Sequence, residues 1–201
     1  MVSGGGRTLQ YLSEASRSGE LDGEVVRCIA SAPDCYALER ARSLGVPASP
    51  IARKAYPTGL DFANAIFDDL DQHRVDLALL AGYLVKLPLV ERWRGRVLNI
   101  HPALLPSFGG KGFYGHHVHE AVRRAGVKLT GCTVHFVDDE YDHGPILIQR
   151  SVPVRFEDDA DAIANRVFEQ ERIAYIAAVN AIARGQVVID DHRVRELGDP
   201  A

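Results

Sequence analysis

Short apolar runs alternate with amphipathic stretches along the chain, and this alternation restricts the fold more than any other feature of the sequence. Residues 75–81 form the clearest run, which is typical of a parallel strand covered on both faces. Residues 7–17, 61–73 and 160–183 show helical periodicity instead. The order of strands and helices predicts an α/β fold with a doubly wound, Rossmann-like, mostly parallel sheet and an antiparallel edge.

The other predicted elements all fit one sheet covered by helices. Strands are predicted at residues 24–30, 96–100, 128–137 and 146–154, helices at 37–44, 88–93 and 118–125, and a terminal hairpin at 187–194. With 201 residues, 46% of them apolar, the chain is expected to form a single domain over residues 1–201. Only Met1 and Val2 precede the first glycine run, so we expect a truncated first strand or a natural chain that starts upstream.

The charge balance excludes several classes of partner. Lys and Arg number 23 against 27 Asp and Glu, giving a net charge of -4, which offers nucleic acid or an anionic membrane no electrostatic attraction. The three cysteines form no CxxC pair, which indicates a reducing compartment. No apolar run approaches the roughly 20 residues of a membrane span, and no signal peptide is recognisable. We therefore expect a cytoplasmic protein, monomeric or homodimeric, with small-molecule substrates.

Ligands of open α/β sheets bind outside the carboxyl ends of the parallel strands. Three loops are expected to meet there, at residues 4–8, 82–87 and 99–106. The first lies in the stretch SGGGRT at residues 3–8, here called the glycine loop, whose amides precede a helix and can bind phosphate. Leu9 replaces the third glycine of the dinucleotide fingerprint and no Gly-Lys-Ser/Thr follows, which favours a monophosphate. A tight turn that only needs positive φ is the alternative.

Polar groups also stand where the strand at residues 96–100 ends. Alternate residues of a strand share a face, so Asn99 and His101 point to one side and Ile100 points into the core. Pro102 ends the strand and fixes the loop after it. The acidic residues within 137–145 form a second polar loop. Structural roles for the asparagine and histidine, and a solvated turn for the acidic loop, are the alternatives.

Five stretches together resemble the formyltransferase family that uses 10-formyltetrahydrofolate. They are NIHP at residues 99–102, LLP at 104–106, TVHFV at 133–137, DHGP at 142–145 and IQ at 148–149. The resemblance covers nearly the whole chain. It implies the formyltransferase fold and transfer of a formyl group from 10-formyltetrahydrofolate, the co-substrate, to the amine of glycinamide ribonucleotide in purine synthesis, without a metal.

The resemblance also implies roles for individual residues. Asn99, His101 and Asp142 are expected to be catalytic. The nucleotide is expected to contact Gly5, Gly6, Arg7, Thr8, Gly82, Pro102 and Glu171. The folate is expected to contact Tyr83, Leu84, Val85, Lys86, Leu87, Asn99, Asp138, Asp139, Glu140, Tyr141 and Asp142. Val85 stands where other members often carry arginine, so the charge at the folate entrance can differ. The glycine-rich loop at residues 107–117 is expected to act as a flap.

In this reaction the amine attacks the formyl carbon and produces an oxyanion. We expect an Asn99 N–H and a protonated His101 to stabilise that oxygen, with Asp142 favouring the imidazolium. The cluster of His116, His117 and His119 lacks the carboxylate or cysteine partners of a defined metal site. His135 and His143 are expected to be packing or loop residues.

Other activities remain open at this point. Formyltetrahydrofolate deformylase shares the Asn-x-His and Asp elements but normally has a further N-terminal domain, and methionyl-tRNA formyltransferase needs a C-terminal tRNA-binding domain. We expect neither here. A catalytically silent folate- or nucleotide-binding module is the alternative from a different class.

Overall fold

The computed structural model describes residues 1–196 and shows two compact units, Met1–Leu98 and a second that begins at Asn99. Strand β4, Val97–His101, crosses from one unit into the other along the chain. The α/β class and a mixed sheet with an antiparallel edge are confirmed. One domain over residues 1–201 stays a prediction, and residues 197–201 lie outside the described residues. No helix within residues 1–196 is long and apolar enough to cross a membrane.

The first unit alternates helices and short strands. Its elements in chain order are α1 (Arg7–Ser18), β1 (Cys28–Ala30), α2 (Ala37–Ser43), β2 (Ala48–Pro50), α3 (Gly59–Gln72) and β3 (Ala78–Leu80), with 3-10 turns at Arg53–Ala55 and Glu91–Trp93. Strands β1 and β2 pair in parallel, and β3 neighbours β4. Apolar residues of α1, β1 and α2 pack into one core cluster.

The first strand is a stub, as the sequence predicts. Val2 is 1% exposed and forms a single parallel bridge with Ala30. The Met1 ammonium donates to the Leu79 carbonyl at 2.7 Å, and the Ala81 N–H donates to the Met1 carbonyl at 2.8 Å. The glycine loop therefore leaves from between β1 and β3, where a central strand of an open sheet ends.

The second unit contains the antiparallel edge. After the end of β4 it comprises α4 (His116–Ala125), β5 (Leu129–Phe136), β6 (Ile146–Pro153), α5 (Ala160–Ala183), β7 (Val187–Asp190) and β8 (Arg193–Glu196). The strand order from β4 is β4-β5-β6-β8-β7. Strands β5 and β6 pair antiparallel with a register shift between Val134 and His135. Buried residues of α5 and β5 provide much of the core.

Several element bounds differ from the prediction. The strand predicted at residues 24–30 begins only at Cys28, because β2 pairs with its last three residues alone. The strand predicted at 75–81 is likewise limited to Ala78–Leu80. Helix α4 begins at His116 rather than Val118, directly after Gly115 with its positive φ of 51°. The helix predicted at residues 88–93 is only the 3-10 turn Glu91–Trp93.

Candidate functional site

Strand β4 delivers two polar side chains to one side, as alternation predicts. Asn99 is half-buried, His101 is 3% exposed, and Ile100 between them is buried. Side chains of β5 and β6 hold the loop that follows β4 in place by hydrogen bonds. The Thr133 hydroxyl accepts the Leu105 N–H at 3.0 Å and donates to the Ala103 carbonyl at 2.7 Å. Such buried, satisfied contacts hold the end of β4 rigid.

His101 is anchored through one of its ring nitrogens. Its Nε2 lies 2.8 Å from the Phe108 carbonyl, which can only accept, so Nε2 carries the proton. Its Nδ1 faces the Asp142 carboxylate at 3.5 Å. Burial lowers the pKa of His101 and outweighs the opposite effect of Asp142. The imidazole is therefore neutral near pH 7 in the resting cluster, and the protonated His101 expected during the reaction stays a prediction.

Asp142 sits at a left-handed backbone position with φ 52°. Its Oδ2 accepts the Gly110 N–H at 2.9 Å. A Cβ at Gly109 would lie 2.5 Å from Leu105 Cδ2 and 3.3 Å from Asp142 Cβ, so any other residue there requires the Leu105 side chain to move. Burial raises the pKa of Asp142, but contacts with His135, His101 and Gly110 together bring that pKa below its ordinary value. The carboxylate is therefore ionised near pH 7.

Asn99 uses both of its N–H groups inside this cluster. The amide nitrogen is 3.0 Å from His135 Nε2 and 3.2 Å from Asp142 Oδ1. His135 Nδ1 lies 2.9 Å from the Phe136 carbonyl and carries that proton, which leaves Nε2 as the acceptor for Asn99. The expected free Asn99 donor is thus already engaged. Asn99, His101, His135 and Asp142 are called the carboxylate cluster below.

His135 is the member of the cluster that the sequence did not reveal. It was expected to be a packing residue, and at 2% exposure it is buried, but its ring also orients Asn99. A register shift between Val134 and His135 precedes it, and such bulges re-aim side chains. The TVHFV stretch at residues 133–137 was the available signal.

The glycine loop has the conformation expected of a helix start that binds an anion. Gly6 caps α1 with φ 73°, and a Cβ there would lie 2.8 Å from Ala37 Cβ. No side chain caps α1. Arg7 and Thr8 open the helix, and Arg7 is exposed. A helix N-terminus without a capping side chain is a position where proteins bind anions.

Two of the three loops predicted to meet do so within the first unit. The Ser3 N–H donates to the Gly82 carbonyl at 3.0 Å, and the Ser3 hydroxyl accepts the Leu84 N–H at 2.9 Å. Their meeting with residues 99–106 stays a prediction.

Only part of the predicted folate segment at residues 83–87 faces outward. The side chains of Tyr83 and Leu87 are buried, at 8% and 5% exposure, whereas Leu84 is 51% exposed. Burial also raises the pKa of the Tyr83 hydroxyl. Val85 is half-buried and Lys86 is exposed. Residues 84–86 can therefore contact a ligand through their side chains, and the whole segment can do so through its backbone.

The acidic loop folds back on itself beside the cluster. Asp138 Oδ1 accepts the Glu140 N–H at 2.9 Å, and Asp138 Oδ2 pairs with His143 Nδ1 at 2.7 Å. That carboxylate raises the pKa of His143. Asp139 and Glu140 are exposed and Tyr141 is 43% exposed, so this loop presents polar groups and one aromatic ring outward.

Glu171 and Pro102, both predicted to contact nucleotide, lie elsewhere in the second unit. Glu171 is half-buried on α5. Burial, and secondarily this carboxylate, raise the pKa of the Cys132 thiol on β5 to about 12. Pro102 is half-buried directly after β4. Within residues 1–196 no three His, Cys, Asp or Glu side chains gather as a metal site.

Comparisons with known proteins identify the family. The family model described as formyl transferase matches residues 1–179, so the chain belongs to the formyl transferase family. It is 41% identical to phosphoribosylglycinamide formyltransferase, chloroplastic, of Vigna unguiculata over 93% of the chain, and spans 61% of that relative's length. It is 34% identical to phosphoribosylglycinamide formyltransferase of Haemophilus influenzae, covering 96% of the chain and 89% of that protein.

Solved structures give the same fold. Glycinamide ribonucleotide transformylase 1 from Symbiobacterium toebii superposes with a TM-score of 0.89 at 38% identity, over 98% of this chain and 91% of the other.

Proposed function

We propose that the chain transfers the formyl group of 10-formyltetrahydrofolate to the amine of glycinamide ribonucleotide in de novo purine biosynthesis. The products are formylglycinamide ribonucleotide and tetrahydrofolate. The observation that carries the proposal is the carboxylate cluster, in which an amide, an imidazole and a carboxylate converge within 3.5 Å. The names of the relatives support the same substrates.

His101 is proposed to move the proton. As the amine attacks the formyl carbon, a C–N bond forms and the nitrogen gains acidity. His101 Nδ1 accepts that proton, because it carries the lone pair of the ring, whose Nε2–H is already donated to the Phe108 carbonyl. The imidazolium is then paired with Asp142, 3.5 Å away. When the C–N bond to folate breaks, the folate nitrogen takes the proton. Such acid–base assistance contributes about 10²- to 10⁴-fold in rate.

Asn99 is proposed to donate to the oxyanion after a local exchange. Both of its N–H groups are engaged, and the bond to Asp142, 3.2 Å long, is the longer of the two. We expect this N–H to turn from Asp142 to the developing oxyanion while His135 keeps the other. One such donor contributes about 3 to 4 kcal/mol of transition-state stabilisation.

Substrate binding is proposed to use the remaining predicted residues. The glycine loop, including Gly5, Gly6, Arg7 and Thr8, holds the phosphate, with Gly82 and Pro102 as further nucleotide contacts and Glu171 on the ribose. Residues 83–87 and 138–142 form the folate wall, in which Val85 contributes no charge. A cytoplasmic location and a monomeric or homodimeric state complete the proposal, the latter testable by sedimentation.

The decisive experiment follows folate absorbance when the protein is mixed with 10-formyltetrahydrofolate, with and without glycinamide ribonucleotide. Turnover that requires the nucleotide is the expected result. Turnover that is independent of the nucleotide would replace transfer by hydrolysis. Absence of turnover together with retained folate or nucleotide binding would indicate a silent binding module.

A further inference from the structure

Helix α2 holds two consecutive carbonyl groups of the glycine loop. The Gly4 carbonyl accepts the Ala37 N–H at 3.1 Å. The Gly5 carbonyl accepts the Nε–H of Arg40 at 2.8 Å. Two successive peptide units of the loop are therefore oriented from the same helix, one by its backbone and one by a side chain.

These contacts decide where the loop amides point. In a trans peptide unit the N–H is directed opposite to the preceding carbonyl. The N–H groups of Gly5 and Gly6 therefore point away from α2. Within residues 1–196 neither of them donates to a protein acceptor. Two adjacent free amides at the positive end of α1 form a concavity suited to an anion.

Arg40 is itself held in place from two sides. Its Nη1 donates to the Gln10 side chain on α1, and its guanidinium carbon lies 5.5 Å from the centroid of the Tyr36 ring. The side chain thus joins α2, the glycine loop and the first turns of α1. Removing it frees the Gly5 carbonyl to rotate, and the Gly6 N–H rotates with it.

We propose that Arg40 is a positioning residue for the nucleotide phosphate, because it fixes the peptide unit whose N–H binds that phosphate. The inference rests on the proposed function. It adds a residue outside the loop and assigns it an effect on nucleotide affinity, separate from the chemical step.

The test compares Arg40→Ala and Arg40→Lys with Arg42→Ala, an exposed arginine on the same helix. Steady-state formyl transfer is measured with glycinamide ribonucleotide varied and folate saturating, and then the reverse. Arg40→Ala is expected to raise the nucleotide KM about tenfold, as for a lost hydrogen bond to a charged group. The kcat and the folate KM should stay within about twofold. Arg40→Lys should recover part of the loss, and inhibition by inorganic phosphate should weaken in parallel with the nucleotide KM.

Three outcomes overturn the inference. The first is a nucleotide KM of Arg40→Ala equal to that of Arg42→Ala. The second is a joint change of kcat and both KM values, which indicates general loosening. The third applies if Arg40→Ala shows no cooperative unfolding. Arg40→Met then replaces it, and a nucleotide KM equal to that of Arg42→Ala rejects the role.

Failure of the proposed function can be distinguished from failure of the positioning role of Arg40. If the parent protein transfers no formyl group to the nucleotide, the proposed function fails. Titration calorimetry with inorganic phosphate then still compares the parent with Arg40→Ala. Weaker phosphate binding by the variant supports the positioning role, and equal binding overturns it.

Discussion

The glycine loop and the carboxylate cluster are both polar sites, but they are built in opposite ways. The loop uses backbone amides of consecutive residues, shaped by a left-handed Gly6. The cluster uses side chains, and Asn99 and Asp142 are 43 positions apart in sequence. Damage to the loop should therefore appear in affinity, because its amides are proposed to bind the phosphate. Damage to the cluster should appear in turnover, because its groups are proposed to move protons and stabilise charge.

The largest expected effect is that of Asp142→Asn. Asparagine tolerates the backbone φ of 52° but cannot pair with an imidazolium. We expect kcat to fall about 10³-fold, as for loss of a charge that stabilises the transition state, with the nucleotide KM unchanged. Glu157→Gln, at an exposed carboxylate outside the predicted sites, is the control. Normal turnover by Asp142→Asn would show that the cluster does not perform the chemistry.

Lowering the pH should reduce stability through a buried histidine of the second unit. The glycine loop should be unaffected, because it contains no histidine. Burial, with the charge of His116 second, lowers the pKa of His119 to about 4, and its Nδ1 has no hydrogen-bond partner within residues 1–196. The unfolded chain binds this proton below about pH 6.5, whereas the folded chain resists it until about pH 4. Stability should therefore fall with decreasing pH across that window, by about 3 kcal/mol in all.

Urea unfolding measured from pH 7 to pH 4 tests this prediction. His119→Asn should flatten the dependence, although His101 contributes in the same direction. His117→Asn, an exposed histidine on the same helix, should leave it unchanged. Equal slopes for the parent and His119→Asn would rule out this histidine as the source.

Gly6→Ala tests the loop itself. Alanine at φ 73° is strained, and its Cβ would lie 2.8 Å from Ala37 Cβ. We expect a loss of about 2 kcal/mol in stability and a raised nucleotide KM, with kcat at saturation nearly retained. Gly4→Ala is the control, because nothing lies within 4 Å of its added Cβ. A change confined to kcat would contradict the division between loop and cluster.

His135→Leu should have the smallest effect. It removes the acceptor for one Asn99 N–H, 3.0 Å away, and a ring whose Nε2 lies 3.8 Å from Asp142 Oδ1. We expect kcat to fall about tenfold, the cost of one hydrogen bond, and His135→Gln to restore part of it by offering a carbonyl oxygen. If both variants behave like the parent, His135 is a packing residue, as the sequence alone suggested.

The contrast between a site of consecutive residues and a site of distant ones also explains what the sequence reveals and what it does not. Helix α5, Ala160–Ala183, has the predicted bounds because Asp159 caps it and its apolar face is continuous. The glycine loop was visible because its residues are adjacent in the chain. The pair Asn99 and His101 was visible for the same reason, through alternation along one strand.

Contacts that depend on strand register and on tertiary packing could not be predicted from the sequence. His135 reaches Asn99 across 36 positions of sequence, after a register shift in β5. The neutral state of His101 follows from burial, which exceeds the attraction of Asp142. Arg40 meets Gly5 only once α2 has packed beside the loop. Each of these requires tertiary packing, which local periodicity does not encode.

The left-handed backbone of Asp142 has a consequence for how this position can vary. Among residues with side chains, aspartate and asparagine accept that conformation most readily. A glutamate would keep the negative charge and lose the conformational match, while a glycine would do the reverse. The backbone conformation thus restricts which residues can replace Asp142, before the chemistry of the side chain matters. An inactive natural homologue would most readily arise by replacement of this aspartate with asparagine.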